Sequence, residues 1–561
     1  MATQVIVSNN IRISGAPAPL VLQFTKDLTI DNPEYKKRKV RRQPTWGCDP
    51  KLKLYSQEGG IYILPRGYYG RLWKLIVDGY QDMKYCQSDD VTLGRSANFG
   101  KWNPRYEPRE QQLKAVEYGI WNSGCIVAPA GGGKTLIGLR IIHDSIVTAL
   151  WLTHTIDLMK QAADRAKQYM PDIGEIGMFG GGKSTWGDGN LIIASLQTLQ
   201  SRPDLIEQLN AIVGVVIVDE CHHLPATSFL DTIGKLKACR VVGLTATPDR
   251  KDGLEMYMYM GVGPKLYELS RADLYETGKL VKPEIRFIFT EFSYEQASIR
   301  NAINSVDAGG EQLDYRELLD KLIADDERAE LIAQTVSEQK GYQLVIADSK
   351  PYCHKLEKCI REEYTKKGKQ VPRIAVVHGP LQRLSWIVCS SEKEAKKLVE
   401  MGKAVECKYD KSARRWKIRA SQYTAEEFKA WDISKVRRAD IMDRANKGCI
   451  DILIATGQLV QEGLDLPFLQ HGHLTTPKRG DAAGGKNGAS VEQAIGRIMR
   501  SDPKNPNKIA TWWDYVDYKV GVLKSQYSSR RTVYTRLGLK CPKKERTTQE
   551  DLCKLLEGLK Y

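Results

Sequence analysis

What this sequence lacks already removes several classes of protein. No apolar run approaches the ~18 residues needed to cross a bilayer, and the longest candidates, such as Ile212–Val218, are of strand length. The opening residues, MATQVIVSNN, contain no basic stretch followed by an apolar core, so no secretory leader is expected. The twelve cysteines stand singly with no CxxC pair. That pattern offers no zinc-ligand spacing, and reduced cytoplasmic thiols are the simplest reading. No short-period repeat occurs.

Positive charge, by contrast, is abundant. The chain has 561 residues and a formal net charge of +16, with a pI near 9.1. Such an excess suits an anionic partner, either nucleic acid or an acidic membrane surface; charge alone does not separate these from a merely soluble basic protein. Hydrophobic content of 42% and charged content of 27% are those of a globular protein. At ~100–200 residues per domain, the length predicts three or four domains.

Residues 1–100 hold short alternating stretches (VIVS, IRIS, LVLQF, IYILP) between Gly, Pro and Asn, which predicts a small β-rich module. Within it lies the basic run Lys36, Lys37, Arg38, Lys39, Val40, Arg41 and Arg42, followed by Trp46. A solvated loop would explain such a run. Basic residues interleaved with Tyr35, Trp46, Tyr55, Tyr68 and Tyr69 also suit phosphate contact and base stacking, with Lys36, Lys37, Arg38, Arg41 and Trp46 as the candidates. From 101 to 290 buried apolar strands (CIVAPA, ALWLTH, LIIASL, VVIVDE, VVGLTAT) alternate with helical stretches, the rhythm of a doubly wound α/β domain. Residues 291 to about 340 read as a polar helical connector, and the rhythm resumes with QLVIAD, RIAVVHG, DILIATG and IATWWDY, giving a second α/β domain over 291–535 and a tail over 536–561. Residues 384–433 interrupt it. There Ser390–Met401 predicts a helix, and Val405–Tyr409 and Trp416–Arg419 predict two strands around the turn 410–413.

Three motifs carry chemistry. Ala128-Pro129-Ala130-Gly131-Gly132-Gly133-Lys134-Thr135 lies between an apolar strand and a helical stretch. Glycines let backbone N–H groups curl around phosphates, and the helix N-terminus faces them. Lys134 would neutralise β- and γ-phosphate charge, and Thr135 would ligate Mg²⁺. Ala128 replaces the first glycine of the usual pattern. About 85 residues further on, Asp219-Glu220-Cys221-His222 follows a buried strand. Asp219 would hold Mg²⁺, and Glu220 would deprotonate the attacking water. Third, in Gln493-Ala494-Ile495-Gly496-Arg497-Ile498-Met499-Arg500, helical spacing places Arg497 and Arg500 on one face, able to stabilise a transferred phosphoryl group.

This set resembles the superfamily 2 helicases, in particular the branch of XPB-like, UvsW-like and phage DNA helicases, over roughly residues 30–383 and 434–535. The glycine loop resembles motif I, DECH at 219–222 motif II, Thr245-Ala246-Thr247-Pro248 motif III, Ala455-Thr456-Gly457-Gln458 through Glu462-Gly463-Leu464-Asp465 motif V, and QAIGRIMR motif VI. The resemblance implies two tandem RecA-like parallel-sheet domains, ATP and Mg²⁺ as ligands, and alternating grip on a nucleic-acid strand. It adds Gln493 to the catalytic set and Gly463 and Asp465 to the nucleotide site. Arg109-Glu110-Gln111-Gln112 is similar to the family's adenine-reading element, with Arg109 and Gln112 as contacts. Thr153, His154, Thr198, Thr247, His378 and Thr456 fall where the family grips the nucleic-acid backbone. It further implies a DNA partner rather than RNA, a monomeric motor in a bacterial or phage-infected cell, and no membrane. An RNA helicase and an ATP-gated nucleic-acid clamp stay open as alternatives. The insertion departs from the family; its YDKSARRWKI text weakly resembles small basic modules of phage DNA-processing enzymes, and a decorated surface loop explains it equally well.

Overall fold

The computed structural model describes residues 3–40, 43–79, 85–129, 131–221, 226–246, 255–294, 315–377, 386–389, 391–392, 396, 404–410, 415–420, 440–457, 460, 466–480 and 488–542. These fall into two compact units, one running up to Leu280 and the other beginning at Val281.

The first unit opens with strands β1 (Thr3–Val7), β2 (Asn10–Ser14), β3 (Thr29–Asp31), β4 (Lys51–Lys53), β5 (Ser56–Glu58), β6 (Ile61–Pro65) and β7 (Tyr85–Asp89). Five of them form one sheet in the order β5-β6-β2-β1-β7, while β3 and β4 pair separately. The sequence LVLQF, read above as strand-like, is instead part of the helix Ala18–Asp27. Leu20 and Phe24, four residues apart, both enter the core beside Leu64, Leu72 and Ile76, which is helical spacing and not strand alternation. The described part of the basic run is likewise not a loop: Pro33–Val40 is a helix. Asn32 starts it, its Oδ1 accepting from Glu34 N at 3.0 Å.

Residues 92–98 then run along the N-terminal ends of the next sheet's strands. Thr92 N donates to Lys237 O, Arg95 N to Ile212 O, and Ala97 N to Ile146 O. That sheet comprises β8 (Gly124–Val127), β9 (Ala149–Thr153), β10 (Ile176–Gly180), β11 (Lys183–Gly187), β12 (Leu191–Ser195), β13 (Val215–Asp219), β14 (Arg240–Thr245) and β15 (Lys265–Glu268), ordered β11-β10-β12-β9-β13-β14-β8-β15. Every described pairing is parallel except that of β10 with β11. Strands β8, β9, β12 and β13 are buried along their whole length, which is why they read as continuous apolar runs. The helix Lys134–Ser145 lies close against this sheet at Gly138, where a Cβ would come within 2.8 Å of the Trp151 ring.

The N-terminal module is fastened to this core. Arg66 is half-buried and donates through both terminal nitrogens to Ala238 O at 3.1 Å, with Cys239 O at 3.3 Å. Its burial draws the guanidinium down to about 10. Gly67 sits against the backbone of Tyr259 and Met260, and Tyr257 and Leu230 enter the module's core. The module therefore rests on the helices Ala226–Ile233 and Glu255–Val262, which follow DECH and TATP in the chain.

The second unit is built on β16 (Glu284–Phe289), β17 (Gln343–Ile346) and β18 (Ile374–Val377), then β19 (Trp386–Cys389), β20 (Ala404–Asp410) and β21 (Arg415–Ala420), and finally β22 (Ile452–Ala455), β23 (His471–Leu474) and β24 (Thr511–Val516). Six are wholly parallel in the order β16-β24-β23-β17-β22-β18. The expected boundary at 290 would leave Glu284–Phe289 in the first α/β domain; its six-residue register with β24 puts it in the second sheet. Nor is 291–340 a simple polar connector. The helix Asp326–Glu338 buries Ala329, Ile332, Ala333 and Val336 in the second core. Within the insertion, β20 and β21 pair antiparallel as expected, and β19 adds a third strand beside β21. Most of the helix expected over 390–401 lies outside the described residues.

Candidate functional site

In the first unit the chemistry-bearing residues stand at the C-terminal ends of adjacent parallel strands, where open α/β sheets bind ligands. From β8 the chain enters the glycine loop. Gly131 and Gly133 adopt left-handed φ of 81° and 88°. A Cβ on Gly133 would lie 2.3 Å from Gln112 Nε2, so only glycine fits there. Gln112 is buried; its Nε2 donates to Gly132 O at 2.8 Å and its Oε1 accepts from Arg109 N at 2.9 Å. Arg109 also donates to Gly132 O at 3.3 Å. Arg109 and Gln112 thus brace the loop. Ala130 lies outside the described residues.

Lys134 opens the following helix, and its Nζ is 2.9 Å from Glu220 Oε1, both side chains mostly buried. Asp219 ends β13 at 7% exposure. Burial, reinforced by the Glu220 charge and opposed by Lys134, pushes its carboxyl up to about 7. Its Oδ1 accepts from Glu220 N at 3.0 Å. Glu220 has a φ of +47°, a conformation that costs a non-glycine residue of order 1 kcal/mol and aims its side chain away from the strand's own path. A desolvated carboxyl beside a glycine cradle and a lysine is a fit for a magnesium nucleotide. Asp219 and Thr135 would hold the cation, which would supply neutralisation of phosphate charge. Among the described residues, no group of three or more His, Cys, Asp or Glu is placed to hold a metal without such a ligand.

Along the same edge, Thr153 and Ser195 are register partners at the ends of β9 and β12. Ser195 Oγ caps the helix Leu196–Ser201, accepting from Thr198 N, and lies 2.7 Å from Thr198 Oγ1. Thr153, His154 and Thr198 therefore share one rim. Thr247 falls outside the described residues, as do Arg41, His378, Gly463, Asp465 and the Lys37 side chain. Lys36 is 2.5 Å from Asp31, and Arg38 is 3.1 Å from Glu34, so both basic side chains hold local ion pairs; Trp46 is 94% exposed.

In the second unit, Thr456 follows β22, and the next residue's amide, Gly457 N, donates to Asp348 Oδ1 at 3.2 Å. Asp348 also meets Lys478 Nζ at 3.1 Å. The helix carrying the third motif runs Gly488–Ile498. Gln493 is buried on it, and Arg497 Nε donates to Val460 O at 2.8 Å. Arg500 lies beyond the helix end, so the expected shared helical face does not describe it. Its position is set by the chain that follows, whose Lys508 Nζ donates to Arg500 O at 2.7 Å. Asp348, Lys478 and Lys508 had no sequence signal: isolated charged residues, they matter only because other strands surround them.

These two halves match known helicase parts. Residues 105–250 match the family model "Type III restriction enzyme, res subunit", and residues 381–502 match "Helicase conserved C-terminal domain". In both α/β units the chain is thus similar to superfamily 2 helicases. It is 30% identical over 235 residues to the DNA 3'-5' translocase XPB2 of Sulfurisphaera tokodaii, covering 40% of this chain and 52% of that protein. It is 27% identical over 165 residues to the probable helicase D10 of Escherichia phage T5, covering 29% and 35%. The chain thus spans about half the length of the first of these relatives and about a third of the second. The crystal structure of T4 UvsW aligns over 96% of this chain and 98% of its own at 16% identity and a TM-score of 0.37.

Proposed function

We propose that this protein is an ATP-driven DNA translocase or helicase of the XPB- and UvsW-like kind. The observation that carries the reading is the convergence of Lys134, Glu220 and Asp219 beneath the glycine loop. A phosphate reaching Lys134 competes with Glu220 for the ammonium. Winning that competition would release the Glu220 carboxylate to accept a proton from water as the water oxygen bonds to the γ-phosphorus and the bond to the bridging oxygen breaks. Arg497 and Arg500 would stabilise the charge that develops on the transferred group, with Gln493, on the helix that bears Arg497, supporting them. Thr153, His154 and Thr198 on the first unit, and Thr456 on the second, would hold phosphates of the nucleic-acid backbone. Such contacts give weak sequence preference and steep salt dependence. The similarity to a DNA translocase supports DNA as the track.

The test compares Lys134→Ala and Glu220→Gln with the wild-type chain, measuring ATPase rate with duplex DNA, single-stranded DNA and RNA, and filter binding of the same strands. Lys134→Ala is expected to abolish hydrolysis while nucleic-acid binding survives. Glu220→Gln is expected to bind ATP and turn over at least ~100-fold more slowly. Wild-type rates in either variant would remove that residue from the site, and stimulation by RNA alone would replace the DNA track with an RNA one.

A further inference from the structure

Lys508 lies outside every motif, yet it is 5% exposed, an uncommon situation for an ammonium group. Its acceptors are two backbone carbonyls: Pro467 O at 2.6 Å and Arg500 O at 2.7 Å. The first lies ten residues after Gly457 in the chain; the second belongs to one of the two arginines assigned to the γ-phosphate.

The intervening chain is built to deliver this contact. After Arg500, residues 501–508 form a tight excursion: Asp502 and Asn505 are bridged, Lys504 N donates to Asp502 Oδ1 at 2.9 Å, and Lys508 N donates to Asn505 O at 3.1 Å. Three residues beyond Lys508 the chain enters β24, which pairs on both sides, with β16 and β23. Lys508 is therefore attached to a rigid strand and reaches back to the arginine. On the other side, Arg497 Nε holds Val460 O at 2.8 Å. Val460 and Pro467 are thus each tied to the arginine-bearing stretch, Val460 by Arg497 and Pro467 by Lys508.

We propose that Lys508 is a positioning residue for ATP hydrolysis, which fixes the backbone of Arg500 to that of Pro467 and so sets where the arginine's guanidinium falls. The proposal rests on the reading of Arg500 as a phosphate-stabilising residue. Holding a carbonyl at the arginine's own residue, just past the helix end, constrains a part of the chain that helical hydrogen bonding no longer does. Burial draws the ammonium down to about 8, with Asp502 opposing the shift and Arg500 adding to it.

The experiment uses the full chain with three substitutions, Lys508→Met, Arg500→Ala and Ile509→Ala, the last an exposed neighbour. DNA-stimulated ATPase kcat and KM, binding of a fluorescent ATP analogue, and the thermal midpoint are measured for each. Lys508→Met is expected to lower kcat roughly 10- to 100-fold, with ATP-analogue affinity within about twofold of wild type, because misplacing a catalytic group costs rate before it costs ground-state binding. Ile509→Ala should behave as wild type. If Arg500→Ala loses turnover while Lys508→Met keeps it, the positioning role is wrong and the arginine reading stands. If Arg500→Ala itself turns over normally, the arginine reading fails and the proposal with it. A Lys508→Met variant whose kcat, analogue affinity and thermal midpoint all collapse together would assign the lysine to folding and overturn the proposal.

Discussion

At the scale of single residues, the first unit holds charges under tension. Asp219 is buried at a strand end with a glutamate beside it, and its carboxyl is pushed up to about 7 by burial first and the neighbouring charge second. A group whose folded value is raised contributes stability that is fully present below its unfolded value and is lost as pH rises through the folded one. The ionised Asp219 therefore disfavours the folded chain progressively between about pH 4 and pH 7, until a cation is bound. Asp219→Asn is expected to be more stable than wild type above pH 7 in the presence of a chelator, by roughly 2 kcal/mol once the amide's own desolvation is set against the relieved charge. Thermal unfolding at pH 5 and pH 8 checks this: the gain at pH 8 should shrink at pH 5. A variant less stable than wild type at pH 8 would show that Asp219 is not under electrostatic strain. DECH showed two acids at a strand end; that one is desolvated and the other paired to Lys134 depends on packing.

Elements explain why some sequence readings held and others failed. Strands β8, β9, β12, β13 and β14 were legible because a strand covered on both faces must be apolar nearly throughout. LVLQF failed because five residues are too few to separate a period of 2 from one of 3.6, and only Leu20 and Phe24 reaching the same core reveals the helix. The helical motif VI was legible as far as Ile498, whereas Arg500 escaped the periodicity argument because the helix ends first. The N-terminal module's attachment had no local signal at all, since it depends on Arg66 meeting carbonyls some 172 residues away. Replacing Arg66 by Met would leave the Ala238 and Cys239 carbonyls without that donor, at about 1–3 kcal/mol. The expected result is an N-terminal module that detaches before the core melts, read as new protease cleavage within residues 80–100, with basal ATPase retained. An unchanged cleavage pattern would show that the apolar contacts of Tyr257 and Leu230 suffice.

For the whole molecule, the insertion has the clearest testable consequence. It leaves after β18 and returns before β22, two strands that are parallel neighbours in the sheet. Among its described residues the insertion contributes a three-stranded sheet of its own and no strand to the six-stranded one. Removing residues 384–433 with a short linker should therefore spare the second core and the ATPase. The expected change is in affinity or substrate preference across forked, duplex and single-stranded DNA and RNA. A shortened chain indistinguishable on every substrate would make the module ornamental. Among the described residues, no helix is long and apolar enough to cross a membrane, which agrees with the lack of long apolar runs in the sequence.

Sequence alone determined the existence of two α/β cores, the glycine loop with its lysine, the acid pair, and the helix bearing Arg497. Each of these is a local pattern whose chemistry requires particular residue types at close spacing. Tertiary structure decided what distant residues do to them. It set Glu220 against Lys134, braced the loop with Gln112, gave β16 to the second sheet, and buried Lys508 between two carbonyls. Those outcomes depend on which strands become neighbours, and neighbour choice is settled by burying both faces of each sheet at once, a global condition that no short stretch of sequence encodes.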